Sequence, residues 1–272
     1  MKEKKYKALA VDLDGTLLNT QHRIGKDDAN ALKELRQAGV RLITVTGRTL
    51  EETLEYGDIL NKEGDVAILQ GGSHIVWFEE TNVRSELKLM SVRDRQILLE
   101  ASEANGFYPL VFIGEKVYSK GQGSSFHCLF QEMMNQEIFY VEELSLLQEK
   151  TPVGKISLMS DRTSLLKTEK EMMAMGLCAP WGRTRINDRD YGIDVTARSK
   201  KEALSKILSI LNIDRQELIA VGDSENDIEM IEFAGLGIAM GNADKLAKSK
   251  ADFITQDNDH GGIAHVIRKF FL

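Results

Sequence analysis

The sequence predicts an α/β protein with a parallel-sheet core split between the two ends of the chain and an α+β domain inserted between the halves. Three observations carry this. An apolar run at residues 8–11 stops abruptly at Asp12 and Asp14, with Gly15 and Thr16 next, as a buried strand stops at a turn. Strand and helix patterns then alternate as far as residue 72, the rhythm of βαβ units, and the same rhythm returns after Tyr191. Between them lie short mixed strands and helices. The expected division is therefore 1–80 for the first part of the core, 81–188 for the inserted domain and 189–272 for the second part of the core.

In order, residues 26–38 place Ala31, Leu32 and Leu35 on one helical stripe, and Gly39 is a natural stop. Residues 40–45 read as a strand ending in Thr46-Gly47-Arg48, residues 50–60 as a helix, and residues 66–69 as a strand closed by Gln70-Gly71-Gly72. Residues 74–78 and 83–89 flank a turn-like Glu79-Glu80-Thr81-Asn82 and predict a hairpin. Ser91 and Asp94 are spaced as a capping box for a helix over 91–105. Strands are expected at 107–113, 116–119, 138–141 and 155–159, and helices at 124–135 and 162–175. In the returning core, residues 193–196 read as a short strand. Ser199-Lys200-Lys201-Glu202 opens a helix running to Leu211. Strands at 218–221, 236–239 and 253–255 alternate with helices at 228–234 and 261–271.

With 42% apolar and 28% charged residues, the composition is that of an ordinary globular chain. A net charge of -7 argues against nucleic acid, whose phosphates demand basic patches. Cys128 and Cys178 stand far apart and in no Cys-x-x-Cys pattern, so neither a disulfide framework nor a thiolate zinc site is expected. A charged start and the lack of a long apolar run predict no leader and no membrane span. The expected setting is cytoplasmic and the expected state a monomer or homodimer.

The chemistry-bearing residues fall at strand ends, where open α/β sheets bind ligands. Asp12 and Asp14, two apart in extended chain, point to one side, and like charges that close call for a cation or a shared proton. Thr46 follows another strand, and Asp223, Asn226 and Asp227 follow a third. Lys200 stands at a helix start whose amides already favour an anion. Carboxylates, a hydroxyl, an amide and an ammonium are what phosphoryl transfer with Mg²⁺ requires.

Asp12-Leu13-Asp14-Gly15-Thr16, Thr46-Gly47-Arg48, Lys200 and Gly222-Asp223-Ser224-Glu225-Asn226-Asp227 resemble the four motifs of the haloacid dehalogenase superfamily, and more narrowly its Cof-type sugar-phosphatase branch. The resemblance covers about 1–78 and 189–272; the inserted domain matches in position and size more than in motif. It implies a Rossmann-like core, an aspartyl-phosphate mechanism and a small phosphorylated molecule as partner. Asp12 would be the nucleophile, and Asp14 the acid and then the base. Mg²⁺ would be held by Asp12, the Asp14 backbone carbonyl and Asp223, with Asp227 behind them. Thr46, Gly47, Lys200 and Asn226 would hold the phosphoryl group. Two departures stand out: Gln70-Gly71-Gly72 replaces the usual Asn-Gly-Ala, and the segment before Lys200 is about two residues short by alignment, leaving Lys201 as an alternative lysine. A phosphosugar mutase and a non-catalytic phospholigand sensor are the rival readings.

Other features have blander readings. A calcium loop at Asp12 is disfavoured because Gly15 falls at the fourth position rather than the sixth. Gly121-Gln122-Gly123-Ser124-Ser125 lacks the ending of a P-loop and reads as a loop. Trp181-Gly182-Arg183-Thr184-Arg185 reads as a solvated loop or a pocket wall, and Arg48 as a structural ion-pair residue. His260 and His265 do not share a helical face, so no zinc pair is expected, and Met172, Met173 and Met175 read as core.

Overall fold

A computed structural model describes residues 6–106, 109–120, 127–128, 130–131, 136–142, 150–185 and 190–272. They form two compact units: the described residues of Met1–Gly47, Leu54–Glu86 and Lys200–Leu272, and those of Arg48–Thr53 and Leu87–Ser199.

The first unit is built on one eight-stranded sheet. Its strands in chain order are β1 (Ala8–Asp12), β2 (Arg41–Val45), β3 (Val66–Leu69), β4 (His74–Phe78), β5 (Val83–Leu87), β12 (Leu218–Gly222), β13 (Leu236–Ala239) and β14 (Phe253–Ile254). In space they run β14-β13-β12-β1-β2-β3-β4-β5. Every pair from β14 to β3 is parallel; β4 turns back antiparallel to β3. β1 lies inside the sheet, with Val11 opposite Val221 on one side and Asp12 opposite Val45 on the other. The C-terminal ends of β12, β1 and β2 therefore fall side by side.

Both faces of this sheet are covered, which is why β1 is apolar without interruption. Leu9 and Val11 pack with Ala31, Leu32 and Leu35 of α1 (Lys26–Gln37) and with Ile263, Val266 and Ile267 of α8 (Gly262–Phe270). Ala8 and Ala10 face the other way, towards Ala203, Leu204 and Ile207 of α5 (Lys200–Leu211) and Met230 of α6 (Ile228–Phe233). Complete burial of Leu9 contributes about 1.5–3 kcal/mol.

The second unit has a six-stranded sheet. Its strands are β6 (Leu110–Ile113), β7 (Lys116–Lys120), β8 (Ile138–Val141), β9 (Val153–Asp161), β10 (Trp181–Arg185) and β11 (Asp190–Thr196), in the spatial order β10-β11-β9-β6-β7-β8. Helices α3 (Val92–Ala104) and α4 (Arg162–Ala174) bury Leu98 and Met172 with Ile156, Leu158 and Val195 of the sheet. The Ser91 side chain caps α3 at the Asp94 amide, as the spacing predicts, and Asp161 caps α4. Among the described residues no helix is long and apolar enough to cross a membrane.

Several elements differ from expectation. The helix over 50–60 shrinks to α2 (Leu50–Thr53) and a 3₁₀ turn (Leu54–Tyr56), because the Gly57 amide turns back to the Leu54 carbonyl. Residues 193–196 belong to the longer β11, whose Ile193 pairs with Leu158 of β9, so this strand sits in the second sheet and not in the core. Trp181–Arg185 is a strand, paired from Trp181↔Val195 to Arg185↔Tyr191. Met172 is core, but Met173 and Met175 are exposed. Residues 83–87 form a strand of the core sheet, beyond the boundary expected at 80–81. The helix expected over 124–135 lies mostly outside the described residues, and the loop 121–125 wholly so.

Candidate active site

β1 delivers Asp12 to the carboxyl edge of the sheet, where it is only 6% exposed. The chain turns at once through Gly15, at φ +78, where a Cβ would lie 2.6 Å from Asp223 Oδ2. Only glycine holds that backbone comfortably and lets the loop close on the Asp223 carboxylate. Thr16, fully buried, donates its hydroxyl to Asp223 Oδ1 at 2.7 Å.

β12 ends at Gly222, where a Cβ would collide with the Asp227 side chain. Asp227 is itself completely buried. Its Oδ2 accepts the amides of Asp223 (3.1 Å) and Ser224 (3.2 Å) and the Ser224 hydroxyl (3.2 Å). This side chain therefore sets the loop that presents Asp223. Asn226 is half-buried, and its Oδ1 accepts the Ser224 hydroxyl at 2.8 Å.

Lys200 opens α5 and is buried; Lys201 is exposed. The Lys200 ammonium donates to Asp12 Oδ1 at 2.8 Å and to Asp227 Oδ1 at 2.7 Å. Of the two lysines, Lys200 is the one that reaches Asp12. One oxygen each from Asp12, Asp223 and Asp227 lies within 4.8 Å of the others. Among the described residues three carboxylates thus gather around the Lys200 ammonium, and the crowding shows in the proton affinities of Asp12 and Asp223. Burial pushes the Asp12 carboxyl well above its ordinary range, helped by the Asp227 charge and only partly offset by Lys200. Burial and Asp227 push Asp223 up to about 7. Burial alone would lower Lys200, but Asp12 and Asp227 outweigh it and hold the ammonium protonated. A pocket of hard oxygen donors with surplus negative charge fits a divalent cation such as Mg²⁺.

The other candidates take distinct places. Asp14 is outside the carboxylate cluster; its side chain is 42% exposed, with Oδ1 4.0 Å from His22 Nδ1. Thr46 follows β2 at the same sheet edge and is buried; its amide donates to the Ile68 carbonyl at 2.8 Å and its carbonyl accepts the Gly71 amide at 2.9 Å. Gly47 beside it is half-buried. Gln70, where a glutamine stands in an unusual motif, is fully buried at φ +49. Two contributors escaped the sequence reading. Thr16 belongs to the first motif but carries no role of its own in the sequence reading, and Asn242, 227 positions from Gly15 in the chain, donates to the Gly15 carbonyl at 2.7 Å. For Thr16 the signal was available, as a hydroxyl directly after the acidic turn; for Asn242 no local pattern marks it.

Comparison with known proteins adds an independent line. The sequence profile of haloacid dehalogenase-like hydrolases matches residues 9–267. The chain is 28% identical over 276 residues to the putative phosphatase YxeH of Bacillus subtilis (strain 168), covering 98% of this chain and 99% of that one. It is 29% identical over 266 residues to the 5-amino-6-(5-phospho-D-ribitylamino)uracil phosphatase YcsE of the same organism, covering 98% and 96%. Among solved structures, a haloacid dehalogenase-like hydrolase from Bacteroides thetaiotaomicron superposes with a TM-score of 0.82 at 26% identity, covering 97% of this chain and 99% of that one. Another, from B. subtilis, superposes with a TM-score of 0.80 at 27% identity, with the same coverage.

Proposed function

The chain belongs to the haloacid dehalogenase-like hydrolase family, and from that premise we propose that it is a Mg²⁺-dependent phosphatase of small phosphomonoesters, sugar or polyol phosphates in particular. The observation that carries the reading is the buried Asp12, joined by Lys200 to Asp227 and clustered with Asp223. The similarity to a phosphatase named for a phosphoribityl compound supports the choice of polyol phosphates.

Asp12 attacks phosphorus. A carboxylate oxygen–phosphorus bond forms as the ester phosphorus–oxygen bond breaks, and the Asp14 carboxyl gives its proton to the departing oxygen. The Asp14 carboxylate then takes a proton from water as that water attacks the aspartyl-phosphate, releasing phosphate and restoring Asp12. Asp14 suits this double duty because it stands apart from the carboxylate cluster, half-exposed. Lys200 keeps Asp12 oriented, and with Thr46, Gly47 and Asn226 it would hold the phosphoryl oxygens. Mg²⁺, held by Asp12, Asp223 and the Asp14 backbone carbonyl with Asp227 behind them, would neutralise the charge that gathers during transfer.

A panel of small phosphoesters, assayed with Mg²⁺ and with a chelator, tests the proposal. Phosphate release that needs Mg²⁺ and is lost in Asp12→Asn is the expected result. Full turnover in Asp12→Asn, or undiminished turnover in chelator, overturns it.

A further inference from the structure

We infer that Asn242 is a positioning residue for the acid–base group Asp14, acting through the Gly15 carbonyl. The inference rests on the reading of Asp14 as leaving-group acid. The turn at 241–244, after β13, bonds to two site loops. The Asn242 Nδ2 donates to the Gly15 carbonyl at 2.7 Å, and the Asp244 amide donates to the Asp223 carbonyl at 2.9 Å. One short turn therefore pins the loop that follows β1 to the loop that follows β12.

The Asn242 side chain, which is exposed, has a second partner. Its Oδ1 accepts the Asn258 amide at 3.1 Å, while the Asn258 Nδ2 donates to the Leu18 carbonyl at 2.8 Å in a buried bond. One residue further, the Asp259 carboxylate accepts the Thr20 amide at 3.0 Å and the Thr20 hydroxyl at 2.9 Å. The loop carrying Asp14 is thus tied at Gly15, Leu18 and Thr20 to one distant stretch, residues 242–259.

Gly15 is where such a tie matters most. Glycine tolerates several backbone states, so the peptide groups around it reorient at low cost. At φ +78, with its Cα against the Asp223 carboxylate, Gly15 has one productive state, and the Asn242 amide selects it by holding the carbonyl. Asp14 is the preceding residue, so the backbone state held at Gly15 bears directly on where its half-exposed carboxyl stands. The Asp14 backbone carbonyl would also face Mg²⁺, so at saturating Mg²⁺ loss of the tie impairs proton delivery more than phosphoryl binding.

The test compares phenyl phosphate with p-nitrophenyl phosphate, whose leaving group departs without needing a proton. Asn242→Ala, and the isosteric Asn242→Asp, which cannot donate to the Gly15 carbonyl, are assayed beside Asp14→Asn with Mg²⁺ present. The expected result is a kcat/KM loss of ~10-fold or more on phenyl phosphate and less than ~3-fold on p-nitrophenyl phosphate, well short of a full general-acid effect. Should the Ala variant fold poorly, the Asp variant decides. Equal losses on both esters, or none, overturn the inference. If Asp14→Asn shows the leaving-group dependence and the Asn242 variants do not, only the role of Asn242 falls. If Asp14→Asn lacks it as well, the reading of Asp14 falls and takes this inference with it.

Discussion

Lys200 places one positive charge 2.8 Å from Asp12 and 2.7 Å from Asp227, in a pocket that also holds Asp223. Lys200→Met should lower kcat by ~10² or more, since one preorganised electrostatic group is removed. It should also destabilise the metal-free protein at neutral pH by about 3–5 kcal/mol, by stranding buried carboxylates; urea unfolding measures this. A milder loss at pH 5, where Asp223 takes up a proton, would agree.

Asp223 provides a second residue-scale prediction. Its carboxyl titrates near pH 7 in the folded chain and near 4 when unfolded. The native state then binds more protons than the unfolded state across that window. The contribution of Asp223 to metal-free stability is therefore lost as pH rises from about 4 to 7. On the proposed reading Mg²⁺ would compete with that proton, so the rise in Tm on adding Mg²⁺ should be larger at pH 8 than at pH 5. An equal or larger rise at pH 5, measured by calorimetry, would contradict the ligand assignment.

At the scale of elements, α1 is locked to the start of β3 by more than apolar packing. Arg36 forms two bonds to the buried Asp65, Nε at 2.9 Å and Nη2 at 2.7 Å, and also reaches the Ile59 carbonyl. Asp65→Ala leaves a partly buried guanidinium without its carboxylate and should cost about 3 kcal/mol in chemical denaturation. A loss under about 1 kcal/mol would mean that solvent replaces the pair, as on an open surface. The core elements were legible because each has a strong local signature. β1 is an apolar run ended by carboxylates, and α1 carries Ala31, Leu32 and Leu35 on one stripe. The second unit was harder to read. Lys155, Ser157 and Asp194 give its sheet a polar face, with Lys155 bonded to Asp194 at 3.1 Å, so β9 and β11 lack a simple apolar alternation with solvent. The segment Trp181–Arg185, rich in arginine, is a strand only because β11 pairs with it, a tertiary fact that local sequence does not carry.

For the whole molecule, the sheet order explains why residues 12, 200, 223 and 227 meet. β1 sits between β12 and β2, so a strand from the start of the chain and one from near its end lie side by side. Motif spacing anticipated that Asp12, Lys200 and Asp223 would meet, because strand-end acids and a helix-start lysine are local patterns. Asn242 and Asp244 could not be anticipated, since their contacts exist only after β13 is laid beside β12. The central claim is that Asp12 takes the phosphoryl group while a divalent cation balances the carboxylates around it. Rapid quenching of Asp14→Asn, where the intermediate should accumulate, with p-nitrophenyl phosphate and Mg²⁺, followed by peptide mass spectrometry, tests it most directly. The account predicts one phosphoryl group on the peptide bearing Asp12 and none in chelator. A phosphoryl group on any other side chain would contradict it.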